Sequence, residues 1–228
     1  IIDPDGTVRH VPTQVVMVGG TYFARINSLT NSTYAVVWHP VAFRDMANHW
    51  AEDVVNDMGS RMVVSGDGSG TFDPDRNVTR AEFAAIMVRA LGLGPERGDS
   101  SFSDVAPSDW FAGAVRTAAA YGLVQGFEDG TFRPSEAVTR EQAMVMMARA
   151  MAITNLKDKI AARKPEEVLS PFRDAADVSG WALTGVADSV TAGIAQGRSG
   201  AVLSPKALLT RAEAAALAAR LLTRSGLI

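Results

Sequence analysis

The sequence predicts a mainly α protein in which three copies of one helical unit close into a pseudo-threefold body over about residues 41 to 228, behind a short N-terminal β segment. Three observations carry this expectation. Trp50, Trp110 and Trp181 are each followed by glycine 16 positions on (Gly66, Gly126, Gly197), proline at 24 (Pro74, Pro134, Pro205) and arginine at 30 (Arg80, Arg140, Arg211) and 39 (Arg89, Arg149, Arg220). Self-similarity of this kind defines the unit of folding. One helical pattern in each copy is apolar almost all round, and a unit of about 50 residues cannot bury such a helix alone. The first 40 residues instead carry β-branched and aromatic runs about a Gly19-Gly20 turn. An open solenoid, the usual outcome of repeats of this size, is the alternative topology.

The totals bound the function. A chain of 228 residues with 47% hydrophobic content can build a packed core. A formal charge of −3 and a pI near 5.6 argue against a nucleic-acid partner, which needs an excess of Lys and Arg over the phosphates it neutralises. The absence of cysteine excludes disulfides, thiolate catalysis and Cys-ligated zinc, and is compatible with an oxidising exterior. No apolar run approaches the roughly 20 residues that span a bilayer, so no membrane insertion is expected. The chain opens Ile1-Ile2-Asp3 with neither a methionine nor a signal-peptide pattern and reads as a fragment of something longer.

Taken in order, residues 1–40 are expected to form strands: two in "TQVVMVGGTYFARIN" and a third in "STYAVVW", the tail of an upstream β domain. Copy one spans 41–98, copy two 99–152 and copy three 171–228, with a charged, partly helical insertion at 153–170. Each copy opens on an aromatic and an acid: Phe43 and Asp45, Phe102 and Asp104, Phe172 and Asp174. A first helix follows and stops at a left-handed residue, Gly122 in copy two, where copy one has Met62. A glycine-rich loop comes next, with Phe132 directed to the core and Pro134 ending it. The second helix carries Phe83, Ile86, Met87, Ala90 and Leu91 in copy one, Met144, Val145, Met147 and Met151 in copy two, and Leu217, Leu221 and Leu222 in copy three.

The start of that second helix raises a question. Thr79 with Glu82, Thr139 with Gln142 and Thr210 with Glu213 fit capping boxes. Arg80, Arg140 and Arg211 do not fit, because a cation in the first turn is disfavoured by about 0.3 to 1 kcal/mol against the helix dipole. Two explanations stand side by side. One is an ion pair with an acid of a neighbouring copy, such as Asp45, Asp104 or Asp174. The other is an external anion, drawn to free N–H groups and gripped by the guanidinium fork. Arg89, Arg149 and Arg220, set among apolar residues, fit internal pairing. The tryptophans fit a core anchor more readily than a ligand platform, although an exposed indole beside an arginine and a glycine loop suits an anionic sugar.

The unit F-x-D…W…G-x-x-D-G-x-F-x-P…[VL]-T-R-A-E closely resembles the S-layer homology (SLH) domain over about residues 43 to 225. The resemblance implies a three-pronged pseudo-trimer about a central bundle of the three Thr-Arg-Glx helices, with grooves between adjacent copies. It implies non-covalent anchoring of a secreted surface protein to a Gram-positive cell wall, in the S-layer, through a secondary cell wall polysaccharide attached to peptidoglycan, commonly bearing pyruvylated N-acetylmannosamine. By the same resemblance Arg80, Arg140 and Arg211 grip the ketal carboxylate, Trp50, Trp110 and Trp181 line the groove walls, and the loops from Gly66, Gly126 and Gly197 add backbone donors. Copy two keeps its loop whole, including Asp129 and Gly130. Copy one has Ser69 in place of the acid, and copy three has Gly200, Ala201 and Leu203 in place of acid, glycine and aromatic. The intact second loop predicts that Arg140→Ala loses more affinity than Arg211→Ala.

No catalytic constellation is present, so the fragment is not expected to be an enzyme and no cofactor is implied. His10, His39 and His49 lack metal-ligand spacing. The stretch from Asp73 resembles an EF-hand start, but Val78 and Ala84 occupy the glycine and glutamate positions, so no metal is expected. Asn31-Ser32-Thr33 and Asn77-Val78-Thr79 are glycosylation sequons only in a suitable secretory host. The rival function is a protein–protein module that assembles a surface lattice. The expected state is a monomer with internal symmetry.

Overall fold

The computed structural model describes residues 1–3, 5–28, 32–94, 96, 98 and 100–228. Asn31 of the first sequon, and Asp99 where copy two was expected to begin, lie outside the described residues. The described chain is mainly helical, with one β-hairpin ahead of seven helices.

Strands β1 (Thr13–Val18) and β2 (Thr21–Ile26) pair antiparallel, Val18 opposite Thr21. Gly19 and Gly20 make the turn at φ of 58° and 82°, a conformation glycine adopts without steric cost. The expected third strand does not form. Thr33 makes only an isolated bridge to Ile2, and Val36 and Trp38 are 95% and 91% exposed. A β-prone run needs a neighbouring edge along its length and a surface to cover its side chains, and beyond the Thr33 bridge no strand of the described residues runs beside 34–38. The segment before the hairpin docks on copy one, where the Arg9 guanidinium donates to the Gly92 carbonyl at 2.7 Å.

The first helices are α1 (Glu52–Ser60), α3 (Ala112–Ala120) and α6 (Leu183–Thr191). Each ends against a left-handed residue: Met62 at φ 61°, Gly122 at 67° and Gly193 at 70°. Met62 therefore takes up, at a cost of about 1–2 kcal/mol, the conformation its sister glycines adopt freely. The second helices are α2 (Arg80–Ala90), α4 (Arg140–Ile153) and α7 (Arg211–Arg224), and all three begin on the expected capping boxes. Between copies two and three, α5 (Pro165–Leu169) buries Val168 and Leu169 and packs against α6.

The copies are joined by backbone hydrogen bonds in cyclic order. The Val78 N–H donates to the Leu209 carbonyl at 2.9 Å, Leu209 to Val138 at 2.8 Å, and Val138 back to Val78 at 3.1 Å. All three residues are fully buried and immediately precede a capping threonine. The next N–H groups run round the copies in the opposite direction. Arg80 and Ala81 donate to Glu136 and Pro134, Arg140 and Glu141 to Ala207 and Pro205, and Arg211 and Ala212 to Arg76 and Pro74. Helix packing runs the same way: α3 lies on α2, α6 on α4 and α1 on α7, while α7 also touches α2 and α4. The apolar cluster runs continuously through all three copies, with Phe83, Met87, Met144, Met147, Leu221 and Leu222 inside it.

Candidate functional site

The first-turn arginines serve the loops of the next copy. Arg80 donates from Nε to the Phe132 carbonyl at 2.8 Å and from Nη2 to Gln125 at 3.1 Å. Arg140 reaches Leu203 and Gln196 at 3.0 and 2.8 Å, and Arg211 reaches Phe72 and Ser65, both at 2.8 Å. Two of them add an ion pair through Nη1: Arg140 to Glu213 at 3.0 Å and Arg211 to Glu82 at 3.3 Å. In the third case the cyclic order puts Gln142 where those glutamates stand, and Arg80 forms no ion pair among the described residues.

Both sequence-based explanations change as a result. The N–H groups expected to be free at the helix starts are taken, the first two by the neighbouring copy's carbonyls and the next by the capping threonine. The internal acids are the capping-box glutamates. Asp45, Asp104 and Asp174 instead each accept two backbone N–H groups of their own copy's loop, for example Phe132 and Arg133 on Asp104, both at 2.7 Å. Burial lowers the pKa of all three arginines. Burial opposes ionisation of Glu82 and Glu213 as well, yet bonds from Arg76 and Arg198, capping N–H groups and the nearby first-turn arginines bring both below the usual carboxylate value.

The loops need their glycines for space. A Cβ on Gly126 would lie 2.4 Å from the Phe102 ring and 2.8 Å from the Thr131 oxygen, and one on Gly66 2.3 Å from the Thr71 oxygen. Gly197 is confined in the same way, 2.6 Å from the Gly200 oxygen. Asp129 accepts from the Thr131 N–H and hydroxyl and pairs with Arg133, while Gly130 turns the chain at φ 78° and its N–H goes to Phe127. In copy one Asp67, two positions earlier, takes over by accepting from Ser69 and Thr71. Those bonds hold the Asp67 and Asp129 carboxyls below the usual range. Copy three turns at Gly200 (φ 56°) and spares Ala201 the left-handed conformation, and Leu203 fills the core position of Phe132.

The tryptophans are not core anchors. Trp50, Trp110 and Trp181 are 63%, 65% and 62% exposed. Each overhangs a groove built from all three copies. Trp50 shares a groove of about 550 Å³ with Arg140 of copy two and with Gly197, Arg198, Glu213 and Arg220 of copy three. Trp110 shares one of about 160 Å³ with Arg211, Ser65, Glu82 and Arg89. Trp181 shares one of about 250 Å³ with Arg80, Gly126, Phe127, Gln142 and Arg149. The intact second loop is therefore served by Arg80, so the sequence-based ranking of Arg140 above Arg211 attached the loop to the wrong arginine.

Arg89, Arg149 and Arg220 were expected to pair internally, but each lines a groove and none has an acidic partner among the described residues. Arg149 donates to the Gln125 side chain at 2.7 Å and Arg220 to the Ile194 carbonyl at 3.3 Å, and Arg89 is exposed. The signal for them was present in the sequence: a cation at one fixed position of an otherwise buried helix, three times over.

The S-layer homology domain matches residues 42–84, 101–144 and 171–215. The chain belongs to the S-layer homology family. The SLH chain is 36% identical over 217 residues to an amylopullulanase of Thermoanaerobacterium thermosulfurigenes, covering 92% of this chain and 11% of that protein. It is 35% identical over 200 residues to exoglucanase XynX of Acetivibrio thermocellus, 86% of this chain and 18% of the other. It is also 36% identical over 139 residues to a surface layer protein of Brevibacillus choshinensis, 55% of this chain and 12% of the other. It thus spans less than a fifth of each of these relatives' lengths. Family and relatives mark it as a secreted cell-surface protein with a cell-wall anchoring module. None of its described helices is long and apolar enough to cross a membrane.

Proposed function

We propose that this SLH module holds a larger surface protein on a Gram-positive cell wall by binding an anionic secondary polysaccharide, non-covalently and without catalysis, in the grooves between copies. The single observation that carries the reading is the pairing, in each groove, of an exposed indole with an arginine that has no ion-pair partner among the described residues. An exposed indole face stacks on the C–H face of a sugar ring, and a partly desolvated guanidinium takes a carboxylate in bidentate fashion. A pyruvyl ketal on N-acetylmannosamine supplies both groups on one residue. Trp50, Trp110 and Trp181 are the platforms, and Arg89, Arg149 and Arg220 add charge. Arg80, Arg140 and Arg211 hold the loops of Gly66, Gly126 with Asp129 and Gly130, and Gly197 in place.

The cyclic hydrogen bonds through Val78, Val138 and Leu209 support a pseudo-threefold trimer of copies 41–98, 99–152 and 171–228 within one monomeric chain. Calorimetric titration with purified, pyruvylated wall polymer tests the reading. Heat that disappears when the ketal is removed supports it, and no heat with any wall glycan rejects it.

A further inference from the structure

Gln142 breaks the rule that governs the three first-turn arginines. Arg140 and Arg211 spend all three guanidinium nitrogens inside the protein, two on loop carbonyls and Nη1 on Glu213 or Glu82. Arg80 spends only Nε and Nη2. Among the described residues its Nη1 has no partner, and it is not sealed in, since His10 Nε2 is the one fully buried side-chain polar atom among them without a partner. Arg80 is 9% exposed and stands over the rings of Phe127 and Phe132, at 4.9 and 4.8 Å; Glu136 and Asp104 act on its charge without an ion pair among the described residues, and one donor faces the groove.

We infer that Gln142 makes the Trp181 groove the preferred site for a carboxylate-bearing saccharide, while Glu82 and Glu213 act as resident carboxylates that already occupy the guanidinium in the other two grooves. The inference rests on the anchoring function proposed above and assigns it to one groove. The charges lining the three grooves agree. Arg80 and Arg149 line the Trp181 groove, and no acid is among its described lining residues. Glu82 stands with Arg89 and Arg211 in the second, and Glu213 and Asp75 stand with Arg140, Arg198 and Arg220 in the third. A ligand carboxylate entering either of those meets a like charge fixed close to the arginine it needs. In the Trp181 groove it meets a neutral amide and the exposed loop at Gly126.

The exchange of Gln for Glu is well suited to a test, because either residue completes the capping box and all three boxes are formed. The full chain, labelled with nitrogen-15, is titrated with pyruvate while the indole N–H resonances are followed. Trp181 is expected to respond with a half-saturation about tenfold below that of Trp50 and Trp110. Gln142→Glu should remove the advantage, and Glu82→Gln should give Trp110 the response Trp181 had. Equal responses from the three indoles, no response, or an unchanged Trp181 curve in Gln142→Glu overturns the inference. The pyruvylated polymer is titrated in parallel. No heat with polymer while pyruvate still selects Trp181 defeats the anchoring reading alone, and polymer binding that ignores Gln142→Glu defeats the groove assignment alone.

Discussion

Arg140 joins copy two to copy three with a three-point grip: Nη1 on Glu213 at 3.0 Å, Nε on the Leu203 carbonyl and Nη2 on the Gln196 carbonyl. The guanidinium is buried, so Arg140→Ala leaves two loop carbonyls without their donor, while Glu213 keeps Arg198 and the Thr210 N–H. A loss of about 2–4 kcal/mol in denaturant unfolding is expected from the two stranded carbonyls. Arg140→Lys should recover little of it, since a point charge cannot serve three acceptors spread in a plane. A loss under about 1 kcal/mol for Arg140→Ala would show that packing and the backbone bonds between copies suffice without this grip.

Trp181→Ala should separate binding from folding. Its indole is mostly exposed, so stability is expected to change by no more than about 0.5 kcal/mol, while affinity for the wall polymer falls sharply. Thermal unfolding and calorimetry on one preparation measure both. A large drop in unfolding temperature would return the tryptophan to the core.

Two glycines predict opposite signs. Gly126→Ala drives a methyl group to 2.4 Å from Phe102 and should destabilise by about 1–3 kcal/mol. Gly113, inside α3, has open space, its nearest neighbour being the Arg116 side chain at 4.0 Å. Gly113→Ala should therefore stabilise by about 0.5 kcal/mol through the unfolded chain. Denaturant midpoints of the two variants decide the matter.

His10 makes the N-terminal docking sensitive to acid. Burial first, and then the charge of Arg61, bring its pKa from 6.5 down to about 4. The unfolded imidazole takes up a proton that the folded one refuses. The stability it allows is therefore complete above about pH 6.5 and is lost as pH falls toward 4. Hydrogen exchange in β1 and β2 should quicken over that window, ahead of α2, α4 and α7, and His10→Leu should flatten the dependence.

What could be read in the sequence was what depends on near neighbours. Thr79, Thr139 and Thr210 signal their helices because a cap and its partner lie three residues apart, and Gly122 signals a stop because few residues turn left cheaply. The wiring of the grooves could not be read. Arg80 reaches forward to a carbonyl 52 residues on and Arg211 back across 139, and only the cyclic order of the copies makes these the same contact. Nor does a tryptophan's place in a repeat say whether its ring points in or out, which is why the three indoles fitted a core role better than the exposed one they have. The valines near Trp38 advertise a strand, but a strand also needs a partner that local sequence does not supply.

The circuit of amides through Val78, Leu209 and Val138 has no first member. A protease nick between Ile160 and Lys164 would remove none of its links, and the two pieces would still travel together on a sizing column. Deleting the last copy does something quite different. Val78 then loses its acceptor, Arg140 loses all three of its own, and both α1 and α4 lose the helices lying on them, so what is left is not two-thirds of a module but two raw faces.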